Sequence, residues 1–239
     1  MQKKIELLST SLLFNGLPAE QLQDIAGIAV AKQYPKGATI FQEGDPGIGF
    51  YLVGSGKVKV FKVSFDGKEQ ILHIFGPGEP FGEVPVFHGS PFPAHAETLA
   101  YSELFFFPRE EFVELVATIP SLALNMLAVL SLRLRRFATQ VENLSLKEVP
   151  GRLAVHLRYL MDEQNRQDKV LLDIPKGQLA NLLGTSAETL SRIFNRMTEE
   201  GLIRVEGKTI FILNPDGLQD RSANTPPEGK GGGKDMRRK

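Results

Sequence analysis

The chain has 239 residues, 42% hydrophobic and 23% charged, with 28 basic and 28 acidic side chains. It is long enough for one large or two ordinary domains but has no bulk charge to attract nucleic acid. Zero cysteines exclude disulfides, iron–sulfur clusters and thiolate metal sites. No apolar run reaches the length of a membrane span and the amino terminus lacks the apolar core of a signal peptide, so a cytoplasmic protein with no membrane partner is expected.

Residues 1–30 read as a helical lead-in, with Leu17-Pro18-Ala19-Glu20 opening an amphipathic segment that includes Leu22, Ile25 and Ile28. From Tyr34 to Pro108 the texture changes to short β-type runs, such as 50–53, 58–63 and 71–75, separated by glycine turns. Many short strands with such turns predict a compact all-β barrel or roll. Asp66-Gly67 between two β-patterned runs predicts a hairpin.

After Pro120 the pattern becomes helical. Leu127, Leu130, Leu134, Phe137, Val141 and Leu144 recur alternately three and four residues apart, a heptad seam. Two readings fit: a helix that pairs with its copy, or an amphipathic helix buried within one subunit. The narrow seam, flanked by Arg133, Arg135, Arg136, Gln140 and Glu142, favours the first. Leu122, Met126 and Val129 lie on another face and can pack back onto the β-region.

The seam stops near Leu146–Pro150, where proline suits a helix start and marks a hinge. Residues 150–164 read as a helix with Leu153, Leu157, Leu160 and Met161 inward. Residues 174–197 then read as two short helices joined by a turn at Gly184-Thr185-Ser186. Ser186 is placed to cap the second helix, whose outward face carries Ala187, Glu188, Ser191, Arg192, Asn195 and Arg196. Such a row suits a helix reading base edges in the major groove; an ordinary hairpin with a solvated face is the alternative. Residues 202–205 and 209–213 flank Glu206-Gly207-Lys208 as a β-hairpin wing. Residues 219–239 are polar and glycine-rich and are expected to be disordered. No nucleophile elbow or compact His/carboxylate triad is present, so catalysis is not expected.

This order of parts resembles the CRP/FNR superfamily of bacterial transcription regulators. The likeness rests on Gly-Lys-Val-Lys-Val at 56–60, Asp66–Leu72, Gly78-Glu79-Pro80-Phe81-Gly82-Glu83 and Thr185–Arg192, and covers roughly residues 15–216. It implies an α+β fold: an N-terminal cyclic-nucleotide-binding-like β-roll, a long dimerisation helix and a C-terminal winged helix-turn-helix. The implied division is 1–118 for the effector-sensing roll, 119–146 for the dimerisation helix, 147–218 for the DNA-binding domain and 219–239 for the tail. The implied partners are double-stranded DNA, a second copy of the chain and RNA polymerase.

In cyclic-AMP-binding members, Phe-Gly-Glu is followed about ten residues later by an arginine that neutralises the cyclic phosphate. This chain keeps Phe81-Gly82-Glu83 but reads Ser90–Glu97 without an arginine, and none occurs between Lys68 and Arg109. Cyclic AMP is therefore disfavoured, and Glu83 is read as capping backbone donors. Residues 91–97 and 143–147 look most like the nitric-oxide-responsive branch of the Dnr and HcpR type, which implies haem b in the roll and a role in nitrosative stress or anaerobic nitrogen-oxide metabolism. A cyclic nucleotide or another small metabolite sensed without haem is the alternative. Of the four histidines, His73 shares strand parity with Ile71 and Phe75 and, by the resemblance, faces the effector pocket with Phe75 and Glu83. It is the candidate haem ligand, with a hydrogen-bonded pocket histidine as the plainer reading. Met126 is a possible second ligand, with core packing favoured. His88 and His95 are read as loop residues in water, and His156 as packed or solvated.

For DNA, the resemblance places Glu188, Ser191 and Arg192 on base edges and Lys176, Ser186 and Thr189 on phosphates. It implies TTGA-type half-sites in an inverted repeat.

Overall fold

Two amphipathic helices, α1 (Gln2–Thr10) and α2 (Ala19–Ile28), open the chain. The computed structural model describes residues 2–223, and the chain divides into two units, 1–139 and 140–239. The first unit continues with β1 (Val30–Tyr34), β2 (Thr39–Phe41), β3 (Gly49–Ser55), β4 (Val58–Val63), β5 (Glu69–Phe75) and β6 (Pro80–Phe81). The short helix α3 (Val84–His88), then β7 (His95–Thr98), β8 (Ser102–Pro108), α4 (Arg109–Thr118) and α5 (Pro120–Leu146) follow.

Two antiparallel four-stranded sheets form a roll, one ordered β1-β8-β3-β6 and the other β2-β7-β4-β5. The unbroken apolar runs Phe50–Val53 and Leu104–Phe107 arise because the first sheet is covered on both faces. Tyr51, Val53, Leu104 and Phe106 point into the roll with Phe41, Phe75, Phe81 and Phe92. Phe50, Leu52, Phe105 and Phe107 pack outward against Phe14 of the α1–α2 connection and Leu22, Ile25, Phe112, Leu122 and Met126 of the helices. Met126 is thus a core residue, as packing favoured. Asp66-Gly67 forms the expected hairpin, closed by Gly67 N–H to Ser64 O at 2.9 Å and Ser64 N–H to Lys68 O at 2.8 Å.

The second unit contains α6 (Val149–Glu163), β9 (Lys169–Leu171), α7 (Lys176–Leu182), α8 (Ala187–Glu199), β10 (Ile203–Glu206), β11 (Thr209–Ile212) and α9 (Pro215–Ser222). Leu153, Leu157 and Leu160 of α6 meet a core that includes Leu179, Leu190, Phe194, Met197 and Ile210. The wing is a three-stranded sheet, β10-β11-β9, rather than the two-stranded hairpin expected. The three-residue β9 is too short to carry a periodic signal. Residues 219–222, assigned from composition to the tail, belong to α9, which Asn214 caps by accepting from Gly217 N–H at 2.9 Å. Residues 224–239 of that tail lie outside the described residues.

Candidate nucleic-acid interface and effector site

The turn between α7 and α8 is held by a paired carbonyl capping motif: Gly184 N–H donates to Asn181 O at 3.4 Å and Thr185 N–H to Ala180 O at 3.0 Å. That geometry needs a left-handed residue, supplied by Gly184 at φ 64°. Ser186 then caps α8, its Oγ accepting from Thr189 N–H at 3.1 Å. The result fixes the start and direction of α8, burying Leu190, Ile193, Phe194 and Met197. The opposite face leaves Glu188, Ser191, Arg192, Asn195 and Arg196 exposed.

Glu188 and Arg192, both about three-quarters exposed, are bonded to each other as an i,i+4 ion pair. Arg196 is tied instead to Glu200 at 3.0 Å, which also pairs with Arg221 of α9 at 2.5 Å. Lys176 at the start of α7 stands over the Phe194 ring at 5.2 Å, and Ser186 and Thr189 are joined through their hydroxyls at 2.9 Å. In the wing, Arg204 lies over Phe211 at 4.5 Å and pairs with Glu206 at 3.1 Å. His156 of α6 is partly buried, and that burial pushes its imidazole down to about 4.

In the first unit, Glu83 follows Gly82, whose φ of 73° turns the chain at the end of β6. Its carboxylate does not cap α3, contrary to the sequence reading. It accepts from the guanidinium of Arg133 on α5, which also donates to Pro80 O and lies 5.2 Å over the Phe75 ring. One turn along α5, Arg136 comes within 3.6 Å of Glu79. The same Glu79 oxygen is 3.8 Å from His73 Nε2, and the other accepts from Gly76 N–H at 2.8 Å. Burial alone would push the Glu79 carboxyl up, but the His73 and Gly76 hydrogen bonds outweigh it and hold it below the ordinary value. His73, Phe75 and Glu83 are therefore brought together, joined by two arginines that the sequence reading left beside the seam.

The roll is not shaped for haem at His73. That side chain is about a third exposed, engaged with Glu79, and packed edge-on against Phe75 at 4.6 Å. Behind it the interior is filled by rings: Phe41 stacks on Phe92 at 3.8 Å, Tyr51 on Phe81 at 5.4 Å, and Phe75 lies 5.5 Å from Phe81. A macrocycle would have to displace that cluster. His95 is not a loop residue in water either. It opens β7 and stacks on Phe61 at 5.3 Å, while His88 is exposed at the end of α3.

Residues 31–118 match the cyclic nucleotide-binding domain family, and residues 151–221 the Crp-like helix-turn-helix domain family. The CRP-like cAMP-activated global transcriptional regulator of Mycobacterium tuberculosis is 31% identical over 221 residues, covering 91% of this chain and 99% of that protein. The chain belongs to the CRP/FNR superfamily of transcription regulators. It is a DNA-binding regulator with an effector domain and not an enzyme. The cyclic AMP receptor protein of Thermus thermophilus is another similar member, 36% identical over 202 residues, with 84% of this chain and 92% of that protein covered. Among solved structures, the c-di-GMP responsive global regulator CLP of Xanthomonas campestris superposes with a TM-score of 0.73 at 25% identity, covering 82% of this chain and 100% of that one.

As a CRP/FNR member the chain is similar to regulators whose names carry nucleotides, and the expected likeness to the Dnr and HcpR branch gains no specific support. Arg133 is the residue of this cluster that sequence reasoning missed. The available signal was an arginine pair three apart, 133 and 136, facing a glutamate pair four apart, 79 and 83.

Proposed function

We propose that the chain acts as a homodimeric regulator that reads TTGA-type inverted repeats through Glu188, Ser191 and Arg192, under the control of a small effector bound without haem at the Glu83–Arg133 pair. The division proposed is a sensing roll over 1–118, a dimerisation helix over 119–146 and a DNA-binding domain over 147–218. Lys176, Ser186 and Thr189 take phosphates, and RNA polymerase is the further partner in the cytoplasm. The observation that carries the effector reading is Arg133, held within the roll beside Glu83 and Phe75. Its guanidinium is already held by Glu83 and Pro80 O, so binding is an exchange: the ligand's anion takes the cationic fork that residues 90–97 lack, and Glu83, released, accepts from hydroxyls. A cyclic nucleotide carries both an anionic phosphate and hydroxyls, which restores the class that the missing loop arginine argued against. The names of the relatives point the same way.

The haem and nitric oxide reading is the weaker one, because His73 is already engaged by Glu79 and packed on Phe75. Calorimetric titration of the purified protein with cyclic AMP, cyclic GMP and cyclic di-GMP, alongside a haemin titration followed by absorption, separates the two. Saturable nucleotide binding lost in Arg133→Gln supports the proposal. A Soret band saturating at one haem per subunit and altered in His73→Ala overturns it in favour of a haem sensor.

A further inference from the structure

A cavity of about 490 Å³ opens between the β2–β3 connection, the turn after α3 and the start of α4, lined by Gly44, Pro46, Ile48, Gly89, Ser90 and Arg109. Its walls are fixed to one another. Gly44 N–H donates to Phe92 O at 2.9 Å, and Phe92 N–H to Asp45 O at 3.0 Å. Gly47 lies so close to α3 that a methyl group there would fall 1.7 Å from Pro85 Cβ. Such a cleft is formed before any ligand arrives, which lowers the ordering cost of binding.

Arg109 is half-buried at the edge of this cleft. Its Nε donates to Val86 O at 3.0 Å, which orients the guanidinium plane. Among the described residues no carboxylate pairs with it, and no acidic side chain lines the cleft. Glu110 and Glu111 occupy the first turn of α4, so the helix terminus itself offers little attraction to an anion. The attraction is that of the guanidinium fork. In the same lining Ser90 Oγ, 2.5 Å from His88 Nδ1, offers a hydroxyl, and Pro46, Ile48 and Pro91 supply apolar walls.

We infer that this cleft is a second ligand site, for a small organic oxyanion: a phosphate or carboxylate head on Arg109 and Ser90, with a short apolar body against Ile48 and the prolines. It shares no residue with the Glu83–Arg133 pair, Pro80 and Phe75, and so is separate from the effector position proposed above. The probes are phenyl phosphate, benzoate and inorganic phosphate, titrated into the full-length ¹⁵N-labelled protein and followed by amide and arginine Nε–H shifts. The expected result is saturable shifts confined to 44–48, 88–91 and Arg109, with phenyl phosphate or benzoate tighter than inorganic phosphate. Arg109→Gln and Ser90→Asp should each weaken binding about tenfold or more, the loss of one charge-assisted pair. The second variant leaves the Arg109–Val86 hydrogen bond in place and serves if the first perturbs α4. Lys68→Gln, at an exposed hairpin tip, should change nothing. Shifts scattered over surface lysines, persistence in both cleft variants, or no saturable shift with any of the three probes would overturn the assignment. A failure of cyclic nucleotides to bind at Arg133 would leave it standing.

Discussion

Arg133 and Glu83 are both mostly withdrawn from water, with side-chain exposures of 16% and 11%, so each depends on the other for its charge to be tolerable. Removing one partner strands the other. Arg133→Met is expected to lower unfolding stability by about 3 kcal/mol, and adding Glu83→Gln should restore part of it, as read from urea denaturation of the two single variants and the double. A single variant as stable as the parent would mean that the pair is dispensable. His156 sets a pH limit on the second unit. Unfolded, its imidazole takes a proton near 6.5, whereas folded it does so only near 4. Between those values the unfolded chain holds the extra proton. Stability is therefore full above about pH 7 and falls by up to about 3 kcal/mol as the pH approaches 4. His156→Leu should flatten that slope in urea midpoints compared between pH 7 and pH 5. Arg192→Ala is expected to erase discrimination between TTGA and scrambled half-sites, at about 1–3 kcal/mol per half-site, in a competition anisotropy titration.

At the scale of elements, α5 presents two unlike faces. Leu122 and Met126 are sealed into the core behind the roll, whereas Leu127, Leu134 and Val141 stand well exposed on a helix of 27 residues. Such a row of exposed leucines asks for a partner, and a second α5 in register would cover it. Leu134→Glu, at the most exposed seam position, should shift the protein from dimer to monomer in sedimentation velocity and abolish binding to a two-half-site operator. A dimer that survives the change would move the interface elsewhere. The seam was legible because heptad spacing repeats over several turns. The roll's strands were legible because glycine turns punctuate them. The role of Arg133 was not, since its contacts join residues 50 apart and strand order alone decides which loop it meets. Likewise β9 is three residues long and pairs with a strand nearly 40 positions later, a register no local pattern carries. His95 was misjudged for a related reason: prolines at 91 and 93 suggested a loop running further than it does, while β7 begins at 95.

For the whole molecule, equal numbers of acidic and basic residues leave only local charge to hold DNA. With Lys176 as the one charged phosphate contact of each of two subunits, as proposed, the logarithm of the binding constant should fall with the logarithm of salt with a slope of about −2. A slope near zero would remove phosphate contacts from the account, and one near −10 would bring in basic residues outside the described segment. A share that modest would place the weight of recognition on the exposed face of α8.

The bond between Glu188 and Arg192 has an evolutionary consequence. Because each side chain orients the other, a change at either alone would release the other into solvent and, under the proposed readout, alter the base contacts of both. Drift toward a new operator should then proceed by paired replacements at positions 188 and 192. Descendants of this regulator would inherit the two residues as one heritable unit, more like a word than two letters.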